Sequence, residues 1–468
     1  MNSRPGANPA RPVSDPAPAA AAPPRGFRAG IRAFLAHLTP PQVVLLGYLT
    51  YALAGCALLS VPFAQTARGV GVLDNLFTSM SAVSTTGLTT VTVGDRYSAF
   101  GQAVVLILIQ LGGLGYMTFG SIVVLARRDG LTGRRVRILR TVFTLPEGFR
   151  IDSFLRSVAT YTVVVEAIGA AALWPLLRDA GRPEPLWSAV FHSVSAFCTA
   201  GFGLYSDSFE SFAGDVRFNA ILAALAYAGA IGFIVVLDLA RRVRRRSAEI
   251  TLTSRIILWS TLWLSVAGTV LILFTEPSIA ELPLSDRLLA ASFQAMTAIT
   301  TVGFNTIPIS GLARPTLLFV TLLMVIGASP SGTGGGLKST TFTAILGAMR
   351  TALRGGGDVR FWGRIVPPDR VLTAVASLGF YCAALFAGTW LLELTESFEP
   401  DRILFEAASA LGTVGLSTGI TADLTAAGKC IVIALMFCGR LGPLTFGIAL
   451  FRNGRPQPPG ARTEDLAV

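Results

Sequence analysis

Charge is what this 468-residue chain has least of: 14% of its residues are Asp, Glu, Lys or Arg, against 52% hydrophobic. A soluble domain carries about a quarter charged residues, so there is too little charge to cover the two or three soluble domains of a chain this long. The composition excludes an ordinary soluble protein and implies lipid as the solvent. Histidine is nearly absent, with only His37 and His192, and no Cys-x-x-Cys pair occurs, which excludes a zinc or haem site of ordinary ligand spacing. The five cysteines, at 56, 198, 382, 430 and 438, each lie in or beside an apolar run, which argues against a disulfide framework. Lysine occurs twice, at 338 and 429, so the net charge of +11 is carried by arginine. Those arginines are not interleaved with aromatics as in a nucleic-acid surface; they fall between apolar runs. No cluster of acids or histidines gathers where a membrane enzyme acting on lipid would need one, and the chain is read as a non-enzyme.

What is there is a series of long apolar runs. Residues 43–64 carry no charge, and 22 helical residues reach roughly 33 Å, enough to cross a bilayer. Further runs lie near 98–126, 155–177, 218–240, 256–275, 314–349, 371–392 and 428–451, giving an expectation of eight spans. Segments 127–150, 241–255 and 350–370 hold 18 arginines against 5 acids, whereas 206–217, 276–287 and 396–402 hold 9 acids against 3 arginines. The first set is expected in the cytosol and the second outside. Arg25, Arg28, Arg32, Arg452 and Arg455 place both termini in the cytosol on the same rule. The Pro/Ala-rich start lacks the apolar core of a signal peptide and reads as a disordered tail.

Between the two spans of each pair, 1–2, 3–4, 5–6 and 7–8, one pattern recurs. It reads FTSMSAVSTTGL from Phe77, FHSVSAFCTAGF from Phe191, FQAMTAITTVGF from Phe293 and FEAASALGTVGL from Phe405. Phe, a small residue, Ser or Thr, Ala, Thr and Gly stand at the same offsets in all four, and such repetition decides architecture before local detail does. The segments are too short to cross, and non-helical backbone at membrane depth persists only where it is buried or lines a cavity. Four Thr-x-Gly turns around one axis would supply carbonyls that replace a cation's hydration shell, with glycine permitting the positive φ that this requires. The competing reading, small residues packing helices together, accounts for one such motif better than for four.

These repeats resemble the Trk/Ktr/HKT superfamily of potassium transporters, over about residues 40–452. QLGGLGYMTFGS (Gln110 to Ser121), IGASPSGTGGGLKSTTF (Ile326 to Phe342) and CGRLGPLTFG (Cys438 to Gly447) are similar to the first inner helix, intramembrane gating loop and last inner helix of its bacterial Ktr-type subunit. The resemblance implies an all-α polytopic membrane protein of four pseudo-symmetric outer helix, pore helix and inner helix repeats. The expected organisation is a tail at 1–40, pore repeats at 41–128 and 129–242, a third at 243–352 with the gating loop, and a fourth at 353–468 with a short cytosolic tail. The ion-binding filter would be Thr85, Thr86, Gly87, Thr199, Ala200, Gly201, Thr301, Val302, Gly303, Thr413, Val414 and Gly415. A serine in place of the first glycine accompanies sodium preference in the plant branch; Gly87 here implies potassium as the transported ion. The resemblance further implies a bacterial inner-membrane location, a homodimer, a cytosolic nucleotide-binding regulatory ring, and Na⁺ as a coupling or stimulating ion, with no covalent cofactor. Membrane lipid is the other expected partner.

The sixth run is 36 residues long, and its middle, Gly327 to Gly336, holds five Gly, three Ser or Thr and one Pro. Such a stretch cannot remain helix, because Gly costs about 1 kcal/mol and Pro about 3 per position. It reads as a gate formed by Gly327, Ser329, Ser331, Gly332, Thr333, Gly334, Gly335, Gly336 and Lys338; the alternative is a static kink. GTGGGLKS mimics a phosphate loop, but Leu337 separates Gly336 from Lys338, where the motif needs them adjacent. Arg440 lies inside the last apolar run, where an arginine faces a cavity or partner; the resemblance, in which the matching arginine lies near the gating loop, implies that it contacts the loop's carbonyls and helps hold the closed state, with snorkelling to the interface as the alternative. Glu166, within the third run, reads as a structural carboxylate more readily than as a coupling-ion ligand. Thr78, His192, Gln294 and Glu406, each following the repeat's Phe, are expected near the outer vestibule. The arginine runs 134–140 and 241–246 are solvated loop by default, with anionic headgroups or a cytosolic partner as alternatives. Rival functions are a sodium-conducting member of the same superfamily and a broken-helix solute symporter, the latter expected to show a twofold inverted repeat.

Overall fold

A computed structural model describes residues 38–67, 69–115, 151–243 and 249–451. The tail before residue 38, the end of the run at 98–126, the arginine run 134–140, Arg244 to Arg246, Arg452 and Arg455 lie outside the described residues. The chain divides into Met1–Thr39 and Pro40–Val468, and the second unit holds the fold.

The first quarter of that unit comprises α1 (Pro40–Leu59), α2 (Val72–Ser84), the single turn α3 (Val93–Arg96) and α4 (Ala99–Leu114). The second comprises α5 (Ile151–Asp179), α6 (Pro185–Phe197), α7 (Val216–Ala230) and α8 (Phe233–Val243). The third is α9 (Leu252–Thr275), α10 (Leu284–Thr300), α11 (Arg314–Val325) and α12 (Ser339–Leu353). A hairpin of β1 (Arg360–Phe361) and β2 (Arg364–Ile365) leads to α13 (Pro368–Thr395), α14 (Pro400–Gly412), α15 (Ala426–Leu441) and α16 (Pro443–Phe451).

The helices sort by length and exposure. α5, α9 and α13, and α1 from Pro41, are long and apolar enough to cross a membrane. They leave Leu53, Val163, Trp263 and Phe386 exposed, as lipid-facing helices do. α2, α6 and α14 have 13 residues each, about 20 Å of helix, so they enter and leave on one side. Their side chains are mostly buried, including Phe77, Phe191 and Phe405. The inner helices begin cleanly: the side chains of Ser98, Asp215 and Thr425 accept first-turn N–H groups of α4, α7 and α15, which satisfies donors that a helix start otherwise leaves bare.

They end abruptly. α4 stops at Gly115 (φ 78°), α7 gives way to α8 through a 95° bend at Gly232 (φ 93°), and α15 gives way to α16 at Gly442 (φ 80°). α11 runs into the loop 326–338. The eight continuous runs of the sequence are therefore four continuous outer helices and a set of inner helices, three of which end at a left-handed glycine and one, α11, at Ile326.

Each inner helix packs against the short helix of its own quarter and of the next: α4 on α2 and α6, α7 on α6 and α10, α11 on α10 and α14, α15 on α14 and α2. The last pairing closes a ring. Glycine makes the approach possible. A β-carbon on Gly112, Gly229 or Gly439 would lie 2.3, 1.8 or 2.0 Å from the carbonyl oxygens of Val83, Phe197 and Leu411, closer than any side chain tolerates. Lys429 Nζ, 2.8 Å from Asp74 Oδ1, ties the fourth quarter to the first.

Candidate functional site

The ring is lined where the short helices end. Thr85, Thr199, Thr301 and Thr413 follow or cap α2, α6, α10 and α14 with φ of 53°, 50°, 58° and 50°. A β-branched residue is seldom found left-handed, and such a backbone costs of order 1–3 kcal/mol. The turn is held by the next residue: the N–H groups of Thr86, Ala200, Val302 and Val414 reach five residues back to the carbonyls of Ser81, Ser195, Thr297 and Ser409, at 2.8–3.1 Å. This closes each helix as a left-handed glycine does elsewhere. Gly87, Gly201, Gly303 and Gly415 then take positive φ themselves (96°, 67°, 79° and 94°).

The four turns meet. A β-carbon on Gly87 would lie 2.5 Å from Ala200 O, on Gly201 2.6 Å from Val302 O, on Gly303 2.1 Å from Val414 O, and on Gly415 2.1 Å from Thr86 O. Each glycine thus abuts the middle carbonyl of the next turn, and the cycle closes. Gly87 N–H donates to Ser81 Oγ (3.0 Å) and Gly415 N–H to Ser409 Oγ (3.1 Å). Among the described residues, none of the twelve carbonyl oxygens of these turns accepts a hydrogen bond. The N–H groups of Gly87 and Gly415 are used by the protein while all twelve acceptors are left over, an arrangement suited to a dehydrated monovalent cation. Removing one hydroxyl tests the support. Ser409→Ala deletes a bond worth roughly 0.5–1.5 kcal/mol, and the preference for K⁺ over Na⁺ in competition for rubidium uptake is expected to fall roughly two- to tenfold.

The loop 326–338 lies across the threonine end of the ring. Thr333 Oγ1 is 3.1 Å from Thr199 Oγ1, and Thr333 O accepts from Thr85 Oγ1 at 3.3 Å. A β-carbon on Gly334 or Gly335 would lie 2.3 Å from Thr301 Oγ1 or 2.1 Å from Thr413 Oγ1. Three consecutive loop residues therefore meet all four threonines. The loop folds on itself through Gly327 N–H to Leu337 O (2.9 Å) and Ala328 N–H to Gly335 O (3.2 Å). It is fastened to the α7–α8 elbow by Ser329 N–H to Ala230 O, Thr333 N–H to Gly229 O (both 3.2 Å) and Phe233 N–H to Ser331 O (3.1 Å). Arg440 of α15 donates to Thr85 Oγ1 (2.8 Å), to Thr333 O and to Gly112 O, so it grips loop, turn and first inner helix together. Lys338 Nζ donates to Gly334 O at 2.7 Å. Of the remaining residues expected to form the gate, Ser331 and Gly332 pack on the elbow and Gly336 packs on Gly327; Ser331 is itself left-handed (φ 61°).

Other singled-out residues take structural places. Thr78, His192, Gln294 and Glu406 are fully buried rather than open to a vestibule. His192 Nε2 accepts Leu204 N–H (3.1 Å), and Glu406 takes the hydroxyls of Ser417 (3.0 Å) and Thr421; both brace the chain leaving the turn. Gln294 has no partner among the described residues. Glu166 Oε1 lies 3.8 Å from Cys198 Sγ, beside the second turn.

Residues 58–458 match the model of a family described as TrkH, cation transport protein. The chain belongs to that family. It is 35% identical over 417 residues to the Ktr system potassium uptake protein B of Bacillus subtilis, covering 88% of this chain and 92% of the relative. It is 32% identical over 423 residues to the potassium/sodium uptake protein NtpJ of Enterococcus hirae, covering 88% and 93%. Among solved structures, the potassium transporter TrkH from Vibrio parahaemolyticus superposes with a TM-score of 0.71 over 91% of this chain and 89% of that one, at 21% identity, which shows a shared fold.

Proposed function

We propose that this chain is the membrane subunit of a potassium uptake system, with the four Thr-x-Gly turns as its selectivity filter and the loop 326–338 as its gate. The observation that carries the reading is the closed cycle of turns whose twelve carbonyl oxygens accept no hydrogen bond among the described residues. An entering K⁺ exchanges water for those carbonyls, with the helix ends behind them contributing their negative dipoles. Thr333, Gly334 and Gly335 obstruct the far end, and passage requires their displacement. The relatives named for potassium uptake support the choice of ion; the one named for potassium and sodium supports a stimulating or coupled role for Na⁺. Coupling is not required energetically, since 100 mV contributes about 2.3 kcal/mol per charge, roughly fiftyfold accumulation. In this reading both termini are cytosolic, the chain makes and breaks no covalent bonds, and as a Ktr-type subunit it works as a homodimer with a cytosolic regulatory ring.

The test is rubidium uptake into proteoliposomes under an inside-negative potential. Uptake suppressed by K⁺ and spared by equal Na⁺ is expected. Equal suppression by Na⁺ would move the protein to the sodium-conducting reading.

A further inference from the structure

We propose that the second half of α8 seats anionic phospholipid headgroups, and that lipid held there steadies the loop across the ring. The proposal extends the gating role given to that loop above. α8 is two-faced along its length. Phe233, Ile234, Val235 and Asp238 are buried, whereas Leu239, Arg241, Arg242 and Val243 emerge, with Val243 82% exposed.

The level of that emergence follows from Asp238, whose Oδ2 accepts the hydroxyls of Thr251 and Ser254, both at 2.6 Å, at the start of α9. α9 has 24 residues, about 36 Å of helix, slightly more than the hydrocarbon thickness. Its first turn therefore stands at one face of the membrane, and the second half of α8 stands beside it. Other side chains there have the same character. The Arg255 guanidinium lies 5.6 Å from the ring centre of Trp362, which is half exposed on the β1–β2 hairpin, and Arg364 pairs with Glu249. Arginines set among exposed Val, Leu and Trp suit the boundary between headgroup and acyl chain, where the cation meets phosphate and the apolar surface meets hydrocarbon. An acidic soluble partner would leave that apolar surface in water.

The other end of α8 touches the gate. Phe233 N–H donates to Ser331 O, and a β-carbon on Gly232 would lie 2.6 Å from Pro330 O. Eleven helical residues thus join the headgroup seat to the loop. A ligand shifts an equilibrium only by binding its two states unequally. When the loop leaves the ring, the bonds at Ser329, Ser331 and Thr333 that hold the elbow are lost and the start of α8 can pivot about its Asp238 anchor on α9, so the seat keeps this geometry only with the loop in place. Each arginine near an anionic surface is worth roughly fivefold in that equilibrium.

Hydrogen exchange of the amides of residues 327–338, in full-length protein in nanodiscs, tests this without relying on transport. Replacing part of the phosphatidylcholine by phosphatidylglycerol is expected to slow exchange roughly five- to twenty-five-fold in the unaltered chain and under about twofold in the doubly substituted Arg241→Gln, Arg242→Gln protein. Arg370→Gln, which removes an exposed charge at the start of α13, should retain the full slowing. Equal slowing in the double variant overturns the proposal, and so does slowing by free glycerol phosphate in zwitterionic discs. No slowing in the unaltered chain also overturns it and turns the basic face toward an acidic protein.

Discussion

Rubidium uptake by reconstituted Gly303→Ala protein is expected to fall about a hundredfold, equivalent to roughly 2.7 kcal/mol. Two penalties meet at this position. A β-carbon at φ 79° is strained by of order 1–3 kcal/mol, and it would sit 2.1 Å from Val414 O, pushing aside one of the carbonyls of the proposed filter. Gly415→Ala should behave alike, since its β-carbon would meet Thr86 O at the same 2.1 Å. Gly419 separates the two penalties. It has φ 96° and nothing within 4 Å of an added β-carbon, so Gly419→Ala carries the strain without disturbing the ring. Its melting temperature should drop, but less than that of Gly303→Ala, which carries the clash as well, while uptake stays within about threefold. Comparable loss of uptake in all three would mean that backbone strain, not carbonyl geometry, governs conduction.

The second large effect has the opposite sign. Arg440→Met should raise uptake in the absence of any partner protein by tenfold or more. The guanidinium donates to Thr333 O, Thr85 Oγ1 and Gly112 O, and hydrogen bonds from a charged donor are worth about 1.5–3 kcal/mol each. Losing the bond to Thr333 O, the one made to the loop itself, favours loop displacement by at least about tenfold. Arg440→Lys, with a single ammonium in place of a planar fork, should fall between. Basal uptake unchanged in Arg440→Met, with loop amides exchanging as before, would reduce Arg440 to a packing residue.

Much of this architecture is legible in the sequence because repetition amplifies weak signals. A single Thr-x-Gly after a short apolar stretch says little, yet the same offsets from Phe77, Phe191, Phe293 and Phe405 specify four short helices and four turns. The glycine-rich break from Gly327 is equally plain, since no helix tolerates it. What is hidden depends on neighbours far along the chain. The left-handed threonines contradict β-branched preference, and the i to i−5 bonds of Thr86, Ala200, Val302 and Val414 help make them tenable. The elbow at Gly232 lies inside an apolar run that reads as continuous helix, and is fixed by Pro330, Ser331 and Gly332 roughly a hundred residues on. The polar residues after each Phe suggest a wet vestibule; burial of His192 and Glu406 as braces arises because the chain beyond each turn folds back over them.

A ring walled by four quarters is crossed, among the described residues, by a loop from one of them, held by one arginine and by the α7–α8 elbow. Under the proposed gating, opening is a single event within one polypeptide, not a concerted motion of four equivalent parts. A lone chain should respond to whatever displaces its loop with a Hill slope of one, and any steeper response must come from coupling between chains.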